Sequence, residues 1–177
     1  MNKYVSIAGV VLLVAQAVIG DGDVENLALN GDFRKPLAGV WHGGPYGGGP
    51  GKLEIGKDAD GTCFAHLVKE RGPGATQIIG QGREIGDTTR LRVSFRYRGN
   101  GLFNLSYIYH DGKSMTHVKN QMGGRAGNSE SLKRTQTWTP FEKTYTVPKA
   151  ARRPGAKVSL QYSVWDGELD VTDIVAL

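Results

Sequence analysis

Strict alternation of apolar and polar residues is the feature that most constrains this chain. In "RLRVSFRYR", residues 90–98, the apolar side chains of Val93, Phe95 and Tyr97 occupy every second position. Successive side chains of an extended strand point to opposite faces, so a period of two indicates a strand with one buried face. The same alternation recurs at residues 101–110 and 157–165.

Shorter segments of the same type fill most of the remaining chain. Further strands are predicted at residues 25–29, 52–58, 62–68, 76–80, 141–147 and 169–176. Arg98-Gly99-Asn100-Gly101 and Asp111-Gly112 are turn signals, and "NSESLKR" at 128–134 is the one segment that favours a short helix. Many short strands separated by turns predict an all-β fold, a two-sheet antiparallel β-sandwich.

A Gly/Pro-rich stretch, "HGGPYGGGPGK" at residues 42–52, ends in Gly-Lys and invites comparison with a phosphate-binding loop. Such a loop requires Ser or Thr after the lysine, whereas Leu53 follows Lys52, and Tyr46 stands where the first glycine belongs. The stretch therefore predicts a flexible loop with one exposed aromatic residue. Tyr46 either stacks on a ligand at a binding rim or belongs to a simple connection.

The N-terminus predicts export from the cell. Residues 1–20 combine an early lysine, a short apolar run and Ala15-Gln16-Ala17, which is typical of a signal peptide cleaved after Ala17 or Gly20; a retained anchor is the alternative. Residues 21–177 then form one secreted domain, with no later membrane span. The single cysteine, Cys63, is expected to be buried and cannot form an internal disulfide. The net charge of +5 permits acidic partners without requiring them.

Several short motifs occur in the order seen in a known group of modules. "NLALNGDF", Trp41, "TQTWTPFEKTYTVP" and "LDVTDIVAL" resemble carbohydrate-binding modules of the CenC-like type, families four, nine and twenty-two. The resemblance implies a jelly roll with a galactose-binding-domain-like fold, of the kind appended to secreted glycoside hydrolases. It also implies that Trp41 and Trp138 are structural residues.

The resemblance implies a structural calcium ion between the first and last strands. Asp173 matches the family's terminal aspartate as a metal ligand. Arg34 follows Phe33 where the family usually has Glu, and a cation cannot serve as a calcium ligand. Asp32 or Glu25 could substitute for it, or Asp173 could be a turn residue.

The face opposite the predicted core carries residue types that bind sugars. Aromatic rings stack on pyranose faces, and amide or guanidinium groups bond the hydroxyls. If the three long strands share a sheet, the ligand-binding residues on its face are Arg92, Arg96, Asn104, His110, Gln161 and Trp165. Tyr46 of the Gly/Pro-rich stretch joins them as a stacking residue at the rim. The two arginines would suit an acidic glycan. The alternative is an ordinary solvated sheet face.

The sequence contains no recognisable catalytic motif. A glycosidase needs two facing carboxyl groups, and no pattern pairs the acids near strand ends. His110 and His117 lack a convincing metal-ligand spacing. The sequence thus predicts a non-enzymatic module that binds a polysaccharide or oligosaccharide and no nucleic acid. A structural or protein-interaction sandwich at the cell surface is the alternative, because a fold alone does not fix a function.

Overall fold

The computed structural model of the chain describes residues 25–110, 115–117 and 128–177. The predicted signal peptide at residues 1–20 and the Asp111-Gly112 turn lie outside the described residues. Within the described ranges, no helix combines the length and the apolar content needed to cross a bilayer.

Strands account for almost all of the regular structure. In chain order they are β1 (Trp41–Tyr46), β2 (Gly51–Lys57), β3 (Cys63–Lys69), β4 (Ala75–Gly80), β5 (Arg83–Glu84), β6 (Arg90–His110), β7 (Met115–His117), β8 (Asn128–Thr146), β9 (Ala156–Val164) and β10 (Gly167–Ala176). A single 3₁₀ turn, Lys149–Ala151, lies between β8 and β9 in the described chain. The prediction of an all-β fold is confirmed.

Two long strands, β6 and β8, take part in two sheets. Residues 102–109 of β6 pair with β9, whereas residues 93–99 pair with β10, and β8 follows β6 along both parts. Sheet I therefore consists of β1, β4, β9, the second part of β6 and the first part of β8 that pairs with it. Sheet II consists of β2, β3, β10, the first part of β6 and the second part of β8. All pairings between these strands are antiparallel, as predicted for the two-sheet β-sandwich.

Aromatic rings fill the space between the two sheets. Phe95, on the sheet II part of β6, stacks on Phe141 at 4.5 Å and meets Tyr162 of sheet I edge-on at 5.0 Å. Phe103 lies 5.1 Å from Phe95 and from Tyr162. Trp41 is also buried, and its indole Nε1 donates to the carbonyl of Leu29. The alternation of apolar and polar residues in the sequence thus predicted these core residues of the long strands correctly.

The predicted turn at residues 98–101 is wrong, because β6 continues through it. The register with β8 shifts on both sides of Gly99, which has a φ of 92°. A Cβ on Gly99 would lie 2.2 Å from the carbonyl oxygen of Glu168 on β10. Glycine therefore lets β6 bend from sheet II into sheet I while β10 approaches closely.

Three other local predictions also differ from the structure. Residues 25–29 form no strand, because Asn26 Oδ1 accepts the amide of Ala176 in place of a regular ladder. Residues 128–134 belong to β8 rather than to a helix, since pairing with β6 outweighs local preference. Most of the stretch 42–52 is strand, and the connection between β1 and β2 is limited to 47–50.

Candidate functional site

The outer face of sheet I carries amide and hydroxyl side chains in register across its strands. Gln161 lies opposite Asn104, and Asn104 lies opposite Ser129. One row along, Gln77 lies opposite Ser163. Gln77, Asn104 and Gln161 alternate with buried residues, so their side chains point away from the core. Ser129 and Ser131 are exposed on the neighbouring strand. We call this surface the amide face and define it by Gln77, Asn104, Ser129, Ser131 and Gln161; Ser163 lies in the same row but is buried.

Hydrogen bonds between neighbouring strands hold the amide groups in place. Gln161 Nε2 donates to Gln77 Oε1 at 2.7 Å. Ser129 Oγ donates to Asn104 Oδ1, also at 2.7 Å. A primary amide offers two N–H donors and one carbonyl acceptor, so each of these amides retains hydrogen-bonding capacity beyond these bonds. The face therefore carries oriented hydrogen-bond donors and acceptors at the protein surface.

Two exposed aromatic rings lie at the same end of sheet I. Tyr46, which ends β1, is 59% exposed and lies opposite Ala75, the first residue of β4. Trp165, which is 50% exposed, directly follows Val164, and Val164 lies opposite Thr76 of β4. The ends of β1 and β9 therefore flank the start of β4. Exposed rings beside amide groups are a suitable arrangement for a flat ligand with polar edges.

The structure divides the predicted binding residues between the two sheets. Tyr46, Asn104, Gln161 and Trp165 all belong to sheet I. His110 ends β6 opposite Met115, but its side chain lies outside the described part of the structure.

Arg92 and Arg96 do not share a sheet with those residues. They lie on the sheet II part of β6, where Arg92 is opposite Thr144 and Arg96 is opposite Thr172. The condition that the three long strands share one sheet over their whole length is not met, because β6 changes sheets at Gly99.

Arg98 is the centre of a charged network on the outer face of sheet II. Its Nε donates to Asp170 at 2.6 Å, and its two terminal nitrogens donate to Asp58 at 3.0 and 2.9 Å. The guanidinium also lies over the rings of Phe64 and Trp138, at 4.7 and 4.5 Å. Hydrogen bonds from Arg98 and from Trp138 Nε1 hold the pKa of Asp58 below its usual value. These contacts make Trp138 a structural residue of sheet II.

Asp173, the predicted metal ligand, is paired with a cation. Arg96 Nε donates to its Oδ2 at 2.6 Å, and Arg34 interacts with nearby Asp32. Among the described residues, no group of three or more His, Cys, Asp or Glu side chains could hold a metal ion. Calcium requires several oxygen ligands, and the carboxylates here are engaged by guanidinium groups. The residues at this position do not fit the ion that the resemblance implied.

Sequence reasoning missed part of the amide face. The sequence patterns did not single out Gln77, Ser129 or Ser131 as binding residues. Gln77 could have been found from the predicted strand at 76–80, where it alternates with buried Ile78. The serines of β8 could not, because the segment 128–134 was expected to be helical.

Solved structures with a similar fold are known. No protein-family model matches the sequence, and no curated protein matches it. The enzymatically active domain of tailspike protein 4 of bacteriophage CBA120 has a TM-score of 0.60 at 14% identity, over 85% of this chain and 21% of that chain. A family 11 carbohydrate-binding module from Clostridium thermocellum, in complex with a β-1,3-1,4-mixed-linked tetrasaccharide, has a TM-score of 0.56 at 15% identity, over 82% of this chain and 92% of that chain. A family 4 module has a TM-score of 0.55 at 18% identity, over 84% of this chain and 97% of that chain.

The chain shares its fold with these carbohydrate-binding modules. The predicted resemblance is therefore confirmed at the level of the fold. The chain spans about a fifth of the tailspike protein, and nearly all of the family 11 and family 4 modules.

Proposed function

We propose that the protein is a secreted, non-catalytic carbohydrate-binding module that binds a neutral polysaccharide on the amide face. The observation that carries the proposal is the row of in-register amide and hydroxyl groups beside exposed Tyr46 and Trp165. Sugar hydroxyls both donate and accept hydrogen bonds, and side-chain amides complement them in both roles. The family 11 module of the same fold, in complex with a tetrasaccharide, supports this class of ligand.

The charge of the amide face favours a neutral ligand. Its two central rows contain no Asp, Glu, Lys or Arg; they are Gly44, Gln77, Ser163, Leu102 and Ser131, and His42, Ile79, Gln161, Asn104 and Ser129. A cation or carboxylate without a partner would be costly to desolvate under a bound sugar, whereas an amide exchanges water for a sugar hydroxyl. An uncharged glucan, xylan or mannan is therefore the ligand that this surface suits.

The non-catalytic role and export are parts of the same proposal. Glycoside hydrolysis requires a pair of carboxyl groups across the scissile bond, and these two rows of the amide face provide none. Export is supported by the signal-like pattern of residues 1–20.

Affinity electrophoresis of the purified protein tests the proposal. We expect gels containing mixed-linked β-glucan, xylan or mannan to retard the protein, and added salt to leave the retardation unchanged, because salt screens only charge interactions. The protein should release the polysaccharide chemically unaltered. Migration unaffected by every neutral polysaccharide would overturn the proposal, and recovery of a specific protein by cross-linking would then favour an interaction module.

A further inference from the structure

Sheet II has a groove of about 680 Å³ on its outer face, on the opposite side of the sandwich from the amide face. Neighbouring strands supply its floor, where His66 of β3 lies opposite Asp170 of β10. Lys57, Arg134 and Glu168 also line it. The volume is within the range of pockets that hold small ligands.

The floor of the groove is held in place by hydrogen-bonded charged groups. Asp170 is only 8% exposed, and its two oxygens accept from Arg98 Nε at 2.6 Å and contact His66 Nδ1 at 2.5 Å. Burial alone would lower the pKa of Arg98, but hydrogen bonds to Asp170 and Asp58 outweigh it and raise that pKa. Arg98 therefore stays charged and bonds both Asp170 and Asp58, so neither carboxylate acts as an isolated negative charge.

The walls of the groove carry unpaired charge of mainly one sign. Glu54 lines the groove and forms an ion pair, N–O distance 2.5 Å, with Lys52, which is not part of the lining. Lys57 and Arg134 are exposed, and within the described residues neither has an ion-pair or hydrogen-bond partner. Of the carboxylates that line the groove, Glu168 is the one without an ion pair among the described residues. Among the described residues, the lining thus contains two cations without an ion pair, Lys57 and Arg134, and one such carboxylate, Glu168.

Polar groups that could bond sugar hydroxyls lie beside the free cations. Gln136 lines the groove near Arg134, and so does Asn100, whose Nδ2 donates to the carbonyl of Asp166 at 3.1 Å. That bond fixes the amide and leaves its oxygen available as an acceptor. The groove therefore combines cations with neutral donors and acceptors, a composition absent from the two rows of the amide face.

We propose that this groove is a second binding site, which takes an anionic glycan bearing carboxylate or sulfate groups. Arg134 offers a planar fork of donors that matches either group, and Lys57 supplies a second positive charge. Asn100, Gln136 and His66 bond the hydroxyls of the adjoining sugar rings. The site is distinct from the amide face, so this inference goes beyond the proposed function and can fail while that function stands.

Affinity electrophoresis with matched polysaccharides tests the second site. The probes are polygalacturonate, its methyl-esterified form, which lacks the charge, and sulfated carrageenan. We expect polygalacturonate or carrageenan to retard the protein, the retardation to weaken as salt rises, and the methyl ester to retard it much less. Retardation by polygalacturonate alone assigns the site to carboxylates, and retardation by carrageenan alone assigns it to sulfates.

Four variants locate the site. Lys57→Gln and Arg134→Gln should each weaken binding of the anionic probe about fivefold, as expected for exposed ion pairs. Lys133→Gln removes an exposed cation that does not line the groove and should have little effect. Trp165→Ala should weaken neutral but not anionic binding. The inference is overturned if neither anionic probe retards the protein, if Lys133→Gln weakens binding as much as Arg134→Gln does, or if Trp165→Ala abolishes anionic binding. If the parent protein binds an anionic probe but no neutral polysaccharide, the proposed function is overturned instead and this inference stands.

Discussion

The side-chain amide of Gln161 donates a 2.7 Å hydrogen bond to the amide oxygen of Gln77, a residue 84 positions earlier in the chain. Neighbouring strands β4 and β9 bring the two together, and the bond fixes both amide groups before any ligand arrives. Groups that are already oriented lose less conformational entropy on binding. Under the proposed function, this bond preorganises part of the amide face for its ligand.

Replacing Trp165 should weaken neutral glycan binding without unfolding the protein. We expect Trp165→Ala to lower the affinity on the order of tenfold, because it removes aromatic stacking worth roughly 0.5–1.5 kcal/mol together with the apolar area it covers. The half-exposed ring lies outside the core, so the melting temperature should stay nearly constant. Isothermal titration calorimetry measures the affinity. Ile55→Ala, an exposed apolar residue on sheet II, is the control, and equal affinity of Trp165→Ala and the parent would exclude Trp165 from the site.

Removing one amide should have a smaller but specific effect. We expect Gln161→Leu to weaken neutral glycan binding about fivefold, since a net hydrogen bond contributes about 1 kcal/mol. Gln136→Leu makes the same chemical change in the groove of sheet II and should leave neutral binding unchanged. Calorimetry on both variants separates the two surfaces. A larger loss of affinity in Gln136→Leu than in Gln161→Leu would place the neutral site on sheet II instead of sheet I.

The two arginine networks of sheet II should differ in their contribution to stability. Arg98→Leu leaves Asp170, which is nearly buried, without its guanidinium, and should lower the free energy of unfolding by about 2 kcal/mol. Arg96→Leu breaks an exposed pair with Asp173 and should lower it by less than about 1 kcal/mol. Urea denaturation compares the two. Equal losses would show that the Arg98 network has no special role.

Alkaline pH should destabilise the protein through its buried tyrosines. Burial raises the pKa of Tyr107 to about 12 and that of Tyr162 well above its usual value, while an unfolded tyrosine titrates near pH 10. Above about pH 10 the unfolded chain loses protons that the folded chain keeps. The free energy of unfolding should therefore fall between about pH 10 and pH 12. Tyr107→Phe should show a smaller fall in urea denaturation over that range, and an identical fall in the variant would remove Tyr107 as a cause.

Calcium should not stabilise the protein through Asp173, because Arg96 already occupies its carboxylate. We expect the same melting temperature in calcium chloride and in a chelator. A calcium-dependent increase that disappears in Asp173→Asn would restore the ion that the family resemblance implied.

Much of the fold follows from the alternation of residues, since burial of every second side chain depends on local geometry alone. Val93, Phe95 and Tyr162 were predicted to be core residues for this reason, and they are. Asn104 and Gln161 were placed on one outer face by the same alternation, and the strands indeed put them opposite each other.

Pairing between distant strands could not be predicted in the same way. Arg96 and Asn104 lie on one continuous strand and were expected to share a face, but the bend at Gly99 assigns them to different sheets. That bend depends on the close approach of Glu168, which is distant in sequence. The Arg98 network likewise draws Asp58 and Asp170 from separate strands and connections, so no local pattern revealed it.

The most direct test of the amide face is a nuclear magnetic resonance titration of the purified protein with a neutral mixed-linked β-glucan oligosaccharide. The side-chain amide signals of Gln77, Asn104 and Gln161 and the indole N–H signal of Trp165 should shift with one common dissociation constant, while that of Gln136 stays unchanged. Titration to saturation of the sugar with no shift at these four groups, or with shifts confined to Gln136 and its neighbours, would contradict the account.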